Sequence, residues 1–156
     1  LLDNLIKTAR EWAEQTTNKA LLTQTIEEYF DCWPCGNLMK LTVSPIQSIT
    51  SIHYVSGGSY VLWDSANYTN DMVSIPARIV KKASASFPTT DDETPNKIKV
   101  TYVAGATAAT GIPTTIMQAM LQKIAYMYEN REDMPGGANN RQRSADALAM
   151  LNRTYL

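Results

Sequence analysis

Ile98-Lys99-Val100-Thr101-Tyr102-Val103-Ala104-Gly105, followed by Ile112-Pro113 and a run that closes on Tyr126-Met127-Tyr128-Glu129-Asn130-Arg131-Glu132, decides the fold class. Ile98, Val100 and Tyr102 alternate with Lys99, Thr101 and Val103, the two-residue period of a pleated strand, and Gly105 ends the run. Past Pro113 the apolar residues recur at three and four instead. A proline in the first turn loses no helical hydrogen bond, so a helix is predicted from about Pro113, with Ile116, Met117, Met120, Leu121, Ile124 and Tyr128 as its inner face. Pro135-Gly136-Gly137 is expected to end it.

Working towards the N-terminus, Leu2, Leu5, Ile6, Ala9, Trp12, Ala13 and Thr16 repeat at helical spacing, while Asp3, Lys7, Arg10, Glu11 and Glu14 fill the other face. Thr17-Asn18-Lys19 stops this first helix. From Leu21 to Trp33 β-branched and aromatic residues rise and a strand is expected, followed by strand patterns over Leu38 to Val43 and Ile46 to Val55. Gly57-Gly58 can supply the positive φ of a hairpin turn into Tyr60-Val61-Leu62-Trp63, the start of a meander. Met72 to Ile79 and Lys97 to Val103 read as further strands, and Phe87 to Asn96, with its prolines and acids, as an exposed loop between them. Towards the C-terminus, Ser144 with Asp146 behind it is expected to cap a short helix carrying Leu148, Met150 and Leu151.

The fold class is thus α+β: an N-terminal helix, a β-rich meander or insertion, a long C-terminal helix and a short helical tail. The expected organisation is one α+β domain over 1–137, with the β-rich insertion at about 21–104, and a tail over 138–156 that docks on a partner. At 156 residues the chain can bury one core without a metal or disulfide. A formal charge of -1 argues against a dedicated nucleic-acid binder, which carries a basic stripe. No apolar run reaches the roughly 18 residues of a membrane span, and no basic start leads into an apolar signal core, so neither export nor anchoring is expected.

Candidates for chemistry each have a plainer competitor. His53 is the only histidine, so a metal site or a histidine-based triad lacks partners, and a structural or surface role is favoured. Cys32-Trp33-Pro34-Cys35 has redox-motif spacing, but Gly36-Asn37 and a further strand follow it where a redox fold would place a helix. Reduced thiols in a turn are favoured, with a local disulfide the remaining alternative. Asp91-Asp92-Glu93 lacks the interleaved spacing of a calcium loop and reads as a solvated loop. The two Gly-Gly pairs lack the lysine and hydroxyl residue of a phosphate-binding loop. Met117, Met120, Met127 and Met134 read as core filler before an adaptable contact face. No catalytic residue, cofactor or metal site is proposed, and the chain is expected not to be an enzyme.

In order and position three blocks resemble the head-to-tail connector (adaptor) proteins of tailed phages. These are Ala9-Arg10-Glu11-Trp12-Ala13-Glu14 with Ala20-Leu21-Leu22-Thr23-Gln24-Thr25; Leu41-Thr42-Val43-Ser44-Pro45-Ile46-Gln47-Ser48-Ile49; and the Val103-Ala104-Gly105 strand end before the helix closing on Tyr128-Glu129-Asn130-Arg131-Glu132. The Cys32/Cys35 turn and the Asp91 to Asn96 loop do not follow the family pattern. The resemblance implies a structural protein of the virion neck, assembled in the host cytoplasm. It implies a homo-oligomeric ring, expected as a dodecamer, that docks on the portal protein and presents its other face to the stopper or tail-completion protein. Genomic DNA would pass through the lumen without sequence-specific binding, and no membrane is involved. The portal contact is placed on Arg141, Arg143, Leu148, Leu151, Arg153 and Tyr155, where positive charge and apolar side chains coincide in a slightly acidic chain. The alternative is that this tail folds back on its own domain. A rival reading is a small β-rich carbohydrate- or peptide-binding module with Trp33, Tyr60, Trp63 and Tyr68 as an aromatic platform.

Overall fold

The computed structural model describes residues 1–91, 94–129 and 140–153. It divides into two compact units, a helical one of Leu1–Leu22 with Ala106–Tyr155 and a β-rich one of Thr23–Gly105. Together they make a mixed α+β chain with three helices and two antiparallel sheets among the described residues.

The helical unit contains α1 (Leu2–Thr17), α2 (Thr114–Glu129) and α3 (Asn140–Met150), each packed against the other two. α1 ends because Asn18 turns left-handed, at φ 53°, and the Thr17 hydroxyl donates to the Ala13 carbonyl at 2.7 Å. The Glu14 carboxylate then accepts the Leu21 amide at 2.9 Å, turning Leu21 inward, where it meets Ala13 and Ile116. Trp12, Ile112 and Met120 close over that cluster. α2 starts directly after Pro113, whose carbonyl accepts the Ile116 and Met117 amides.

Its inner face is the expected one only in part, at Ile116, Met120 and Ile124. Ile116 and Ala119 are buried, but Met117, Leu121 and Tyr128 are exposed, so the buried face is turned roughly a quarter turn from the widest apolar stripe. The reason is competition: α2 must face two helices at once, and its small residues allow the closer approach. Ser144 does not cap α3 either; the helix begins at Asn140 and Ser144 lies inside it. Pro135-Gly136-Gly137 and Met134 lie outside the described residues.

The β-rich unit contains β1 (Gln24–Phe30), β2 (Leu38–Lys40), β3 (Ile46–Ser56), β4 (Ser59–Trp63), β5 (Tyr68–Asp71), β6 (Arg78–Lys81) and β7 (Ile98–Ala104). One sheet has the order β1-β7-β3-β4 and the other β2-β6-β5, all antiparallel. This corrects the meander: β7, last in sequence, enters between β1 and β3 and pairs with both. Its alternation explains the position, since Ile98, Val100, Tyr102 and Ala104 are all buried and a strand with so apolar a face belongs at the centre. Register places Val100 opposite Ile52 and Glu28, and Tyr102 opposite Ile49 and Ile26. The β3–β4 hairpin turns through Gly57 and Gly58, at φ +60° and +77°, a conformation glycine adopts without steric cost.

The expected strand from Met72 to Ile79 is also corrected. β5 ends at Asp71 and β6 begins at Arg78, with a loop between them. Pro76 has no N–H for a ladder, and the Asp71 carboxylate takes the Ser74 amide and hydroxyl and the Arg78 guanidinium instead.

Candidate functional site

The C-terminal helix is positioned by alanines. Ala145 and Ala149, one turn apart, are fully buried, and side chains this small let α3 lie close against its neighbours. Its far end is tied down where the Asn152 amide donates to the Thr115 hydroxyl at 2.8 Å, in the first turn of α2, and to the Leu148 carbonyl at 3.2 Å. α3 therefore folds onto its own unit, as the alternative reading of the tail expected.

It does so with Arg143, Leu151 and Arg153, three of the residues singled out for docking, left exposed. Arg143 and Met150 share the outward face, and Leu151 is 78% exposed just beyond the helix, next to exposed Arg153. Leu148 sits between the two faces and is half-buried. Arg141 lies in the first turn of α3, and Tyr155 is outside the described residues. The arrangement can offer an apolar contact edged by two guanidiniums.

Further apolar surface was not singled out from the sequence. Leu2 and Ile6 on α1 are exposed one turn apart, and Met117, Leu121 and Tyr128 form an exposed stripe along α2. In the β-rich unit Val73 is 93% exposed and Ile75 72%. The signal was present in the case of α2, whose apolar residues span more of the helix than one partner can cover.

The aromatic platform does not form. Trp63 and Tyr68 are buried, with ring centroids 5.1 Å apart. Trp33 stacks on Phe87 at 4.7 Å, meets Trp63 at 5.0 Å and donates its indole N–H to the Pro88 carbonyl at 2.9 Å. These rings are core, as aromatics on strands usually are. Tyr60 is the exposed member, and its hydroxyl donates to the Asn96 carbonyl.

The polar groups serve structure. The Tyr102 hydroxyl donates to Glu28 at 2.8 Å, and Glu28 also accepts the Thr42 amide. Burial first, then the Glu28 charge, pushes the Tyr102 hydroxyl far above its ordinary pKa. On the outer sheet face Glu27 accepts from the Tyr29 hydroxyl at 2.8 Å and lies 3.4 Å from the Lys99 ammonium; these two contacts lower its pKa. Asp91 is not merely solvated: its two carboxylate oxygens accept the Gly57 and Gly58 amides and pin the hairpin turn. Asp92 and Glu93 lie outside the described residues. Cys32 and Cys35 are exposed free thiols. Among the described residues no cluster of three or more His, Cys, Asp or Glu side chains could hold a metal ion. No described helix is long and apolar enough to cross a membrane.

No family model matches the sequence, and no curated protein matches it. Solved structures do. Over 99% of its length the chain is similar to a chain of the neck of a native gene transfer agent particle computed with C12 symmetry, at 24% identity and a TM-score of 0.76, covering 82% of that chain. The neck of the empty particle, computed with C6 symmetry, gives 24% identity and a TM-score of 0.77, with 100% of this chain and 78% of the other covered. A chain of the virion of the native particle gives 20% identity and a TM-score of 0.79, covering 99% and 77%. The chain thus has, from end to end, the α+β fold of a chain found in the neck of gene transfer agent particles.

Proposed function

We propose that this chain is a structural protein of the neck of a phage-like particle, a head-to-tail connector (adaptor) that forms a homo-oligomeric ring. In this reading the ring docks on the portal and joins it to the stopper or tail-completion protein, and the genome passes through its lumen. The observation that carries the reading is the end-to-end fold match to neck chains from particles computed with cyclic symmetry, C12 and C6. A dodecamer is the ring size we adopt. The domain organisation is proposed with it: the tail over 138–156 is the docking segment, through Arg141, Arg143, Leu148, Leu151, Arg153 and Tyr155.

Two physical features support the reading. The helical unit leaves Leu121, Leu151 and Ile6 on its surface, and a partner that covers their remaining apolar area gains about 25 cal/mol for each Å2 buried. Repeated contacts around a closed ring add, so each can be modest. Native mass spectrometry of the chain mixed with the portal ring of the same genome tests the role. The expected result is binding in portal-matched stoichiometry, abolished by Leu151→Asp with Arg153→Glu, two exposed positions whose change leaves the monomer's circular dichroism intact. An intact portal ring that binds no copy of the chain overturns it.

A further inference from the structure

The loop that joins β1 to β2 carries both cysteines of the chain, Cys32 and Cys35, with Trp33-Pro34 between them. β1 belongs to the four-stranded sheet and β2 to the three-stranded one, so this loop is a crossover between sheets. It is fastened at both ends. Ahead of the pair an Asp31 carboxylate oxygen accepts the Asn96 amide at 2.8 Å, and behind it the Asn37 carbonyl accepts the Lys81 amide at 2.7 Å. The middle is fastened as well. Trp33 stacks on Phe87, lies against Trp63 and donates its indole N–H to the Pro88 carbonyl, and the Pro34 ring fixes its own φ.

That fastening sorts the side chains. Trp33 is held among the rings, while the cysteines on either side of it are exposed free thiols, open to a reagent in solution. The chain bends at Cys32 and again at Cys35. Three residue steps reach about 10 Å at full extension, and a disulfide takes Cα atoms about 4.4–6.8 Å apart, so a bent segment of this length is within reach of closure. The next element after the pair is β2, at Leu38, where a redox enzyme would start a helix. The pair therefore has the setting of a substrate of thiol–disulfide exchange and not of its catalyst.

We infer that Cys32 and Cys35 are a modification site, which a low-molecular-weight disulfide such as oxidised glutathione converts to a disulfide across Trp33-Pro34. The thiolate of one cysteine attacks a sulfur of glutathione disulfide, whose S–S bond breaks, and one glutathione thiolate leaves. The thiolate of the other cysteine then attacks the protein sulfur of the mixed disulfide; the Sγ–Sγ bond forms and the second glutathione thiolate leaves. Two protein thiols are oxidised, one glutathione disulfide is reduced, and the two protons end on the released glutathione. The product closes a small ring around Trp33, the residue that meets Trp63 of β4 where Trp63 in turn meets Tyr68 of β5. Cytosolic glutathione keeps such a pair reduced, and an oxidising exterior leaves it closed. A chain made in a cell and carried out of it in a phage-like particle crosses that boundary; this use of the site, unlike the site itself, rests on the neck reading above.

The test equilibrates the full chain with reduced and oxidised glutathione, once native and once unfolded in urea, and weighs the acid-quenched products by intact mass spectrometry. The native chain is expected to lose two hydrogens. Its ratio of closed disulfide to single-glutathione adduct should exceed that of the unfolded chain by about tenfold, because a fastened loop has less freedom to lose on closing. Cys35→Ser, a change at an exposed position, should stop at a glutathione adduct on Cys32. A native ratio no higher than that of the unfolded chain overturns the inference, and so does a native chain that carries glutathione on both cysteines without closing. Neither result involves the portal, so failure here leaves the connector reading standing, and failure of portal binding leaves the site and removes only its use in a particle.

Discussion

The two units bury different things. In the β-rich unit the fully buried side chains are large: Tyr102, Leu41, Ile52, Ile98 and Val100. In the helical unit they are chiefly alanines, Ala9, Ala13, Ala119, Ala145 and Ala149, with Ile116 the main exception. Several large apolar residues of this unit, Leu2, Ile6, Leu121, Met150 and Leu151, are exposed instead. Buried apolar area scales with side-chain size, so the β-rich unit obtains more stability from its own interior and the helical unit less. Close helix packing through alanine gains contact but little area, and it leaves the helices' hydrophobic capacity for another surface. A unit built this way is suited to being completed by a neighbour.

The largest effect expected from this contrast is at Tyr102. Tyr102→Ala empties a fully enclosed site at the centre of the four-stranded sheet and removes the hydrogen bond to Glu28, and should cost about 3–5 kcal/mol. Urea unfolding followed by tryptophan emission would read it, since Trp33 and Trp63 both belong to this unit. Leu121→Ala, a deletion of comparable chemistry on the helical surface, should change monomer stability by no more than about 0.5 kcal/mol. Similar losses at the two positions would mean that Leu121 is core and that the contrast between the units is false.

Next in size is the opposite manipulation. Ala149→Leu adds bulk where α3 meets its neighbours and should destabilise by about 1–3 kcal/mol, because the helices must separate or the side chain must leave its rotamer well. Thermal unfolding followed by helical circular dichroism would show it. A neutral or stabilising result would reveal slack at the helix contact, and the alanines would then reflect helix propensity instead of close packing.

How far the chain could be read in advance follows the same divide. β7 was legible almost to the residue because the pleat has a period of two and only one face of Ile98–Ala104 is apolar. Its place between β1 and β3 was not legible, since pairing partners over 40 residues away leave no local mark; a meander is what local order suggests. The alanine face of α3 was missed because alanine carries little hydrophobic signal, so Leu148 and Leu151 drew attention and the buried Ala145 and Ala149 did not. Of the candidate docking residues, Arg143, Leu151 and Arg153 lie on the surface and Leu148 is half-buried; which leucine turns inward depended on a packing partner the sequence does not name. Asp91 shows the reverse error: an acidic run looks solvated until a turn with two unpaired amides comes within reach.

The smallest effect concerns a loop of the β-rich unit that charge, not apolar burial, holds in place. Hydrogen bonds from Arg78 and then Ser74 bring the Asp71 carboxyl down to about 2 from its ordinary 3.8. A carboxyl whose pKa is lower folded than unfolded favours the native loop while it is ionised, so the brace is complete above about pH 4 and is lost as pH falls through 2. The side chains are partly exposed, so solvent and salt weaken the Asp71–Arg78 pair and the whole molecule should not unfold with it. NMR titration of the Asp71 carboxyl and the Ser74 amide should give one midpoint near 2, moving up towards 3.8 in Arg78→Ala while the β7 amides keep their shifts. A midpoint at the ordinary value in the wild-type chain would mean the loop is not braced in solution, and Val73 and Ile75 would then be presented by a loose segment that must first be ordered by whatever it meets.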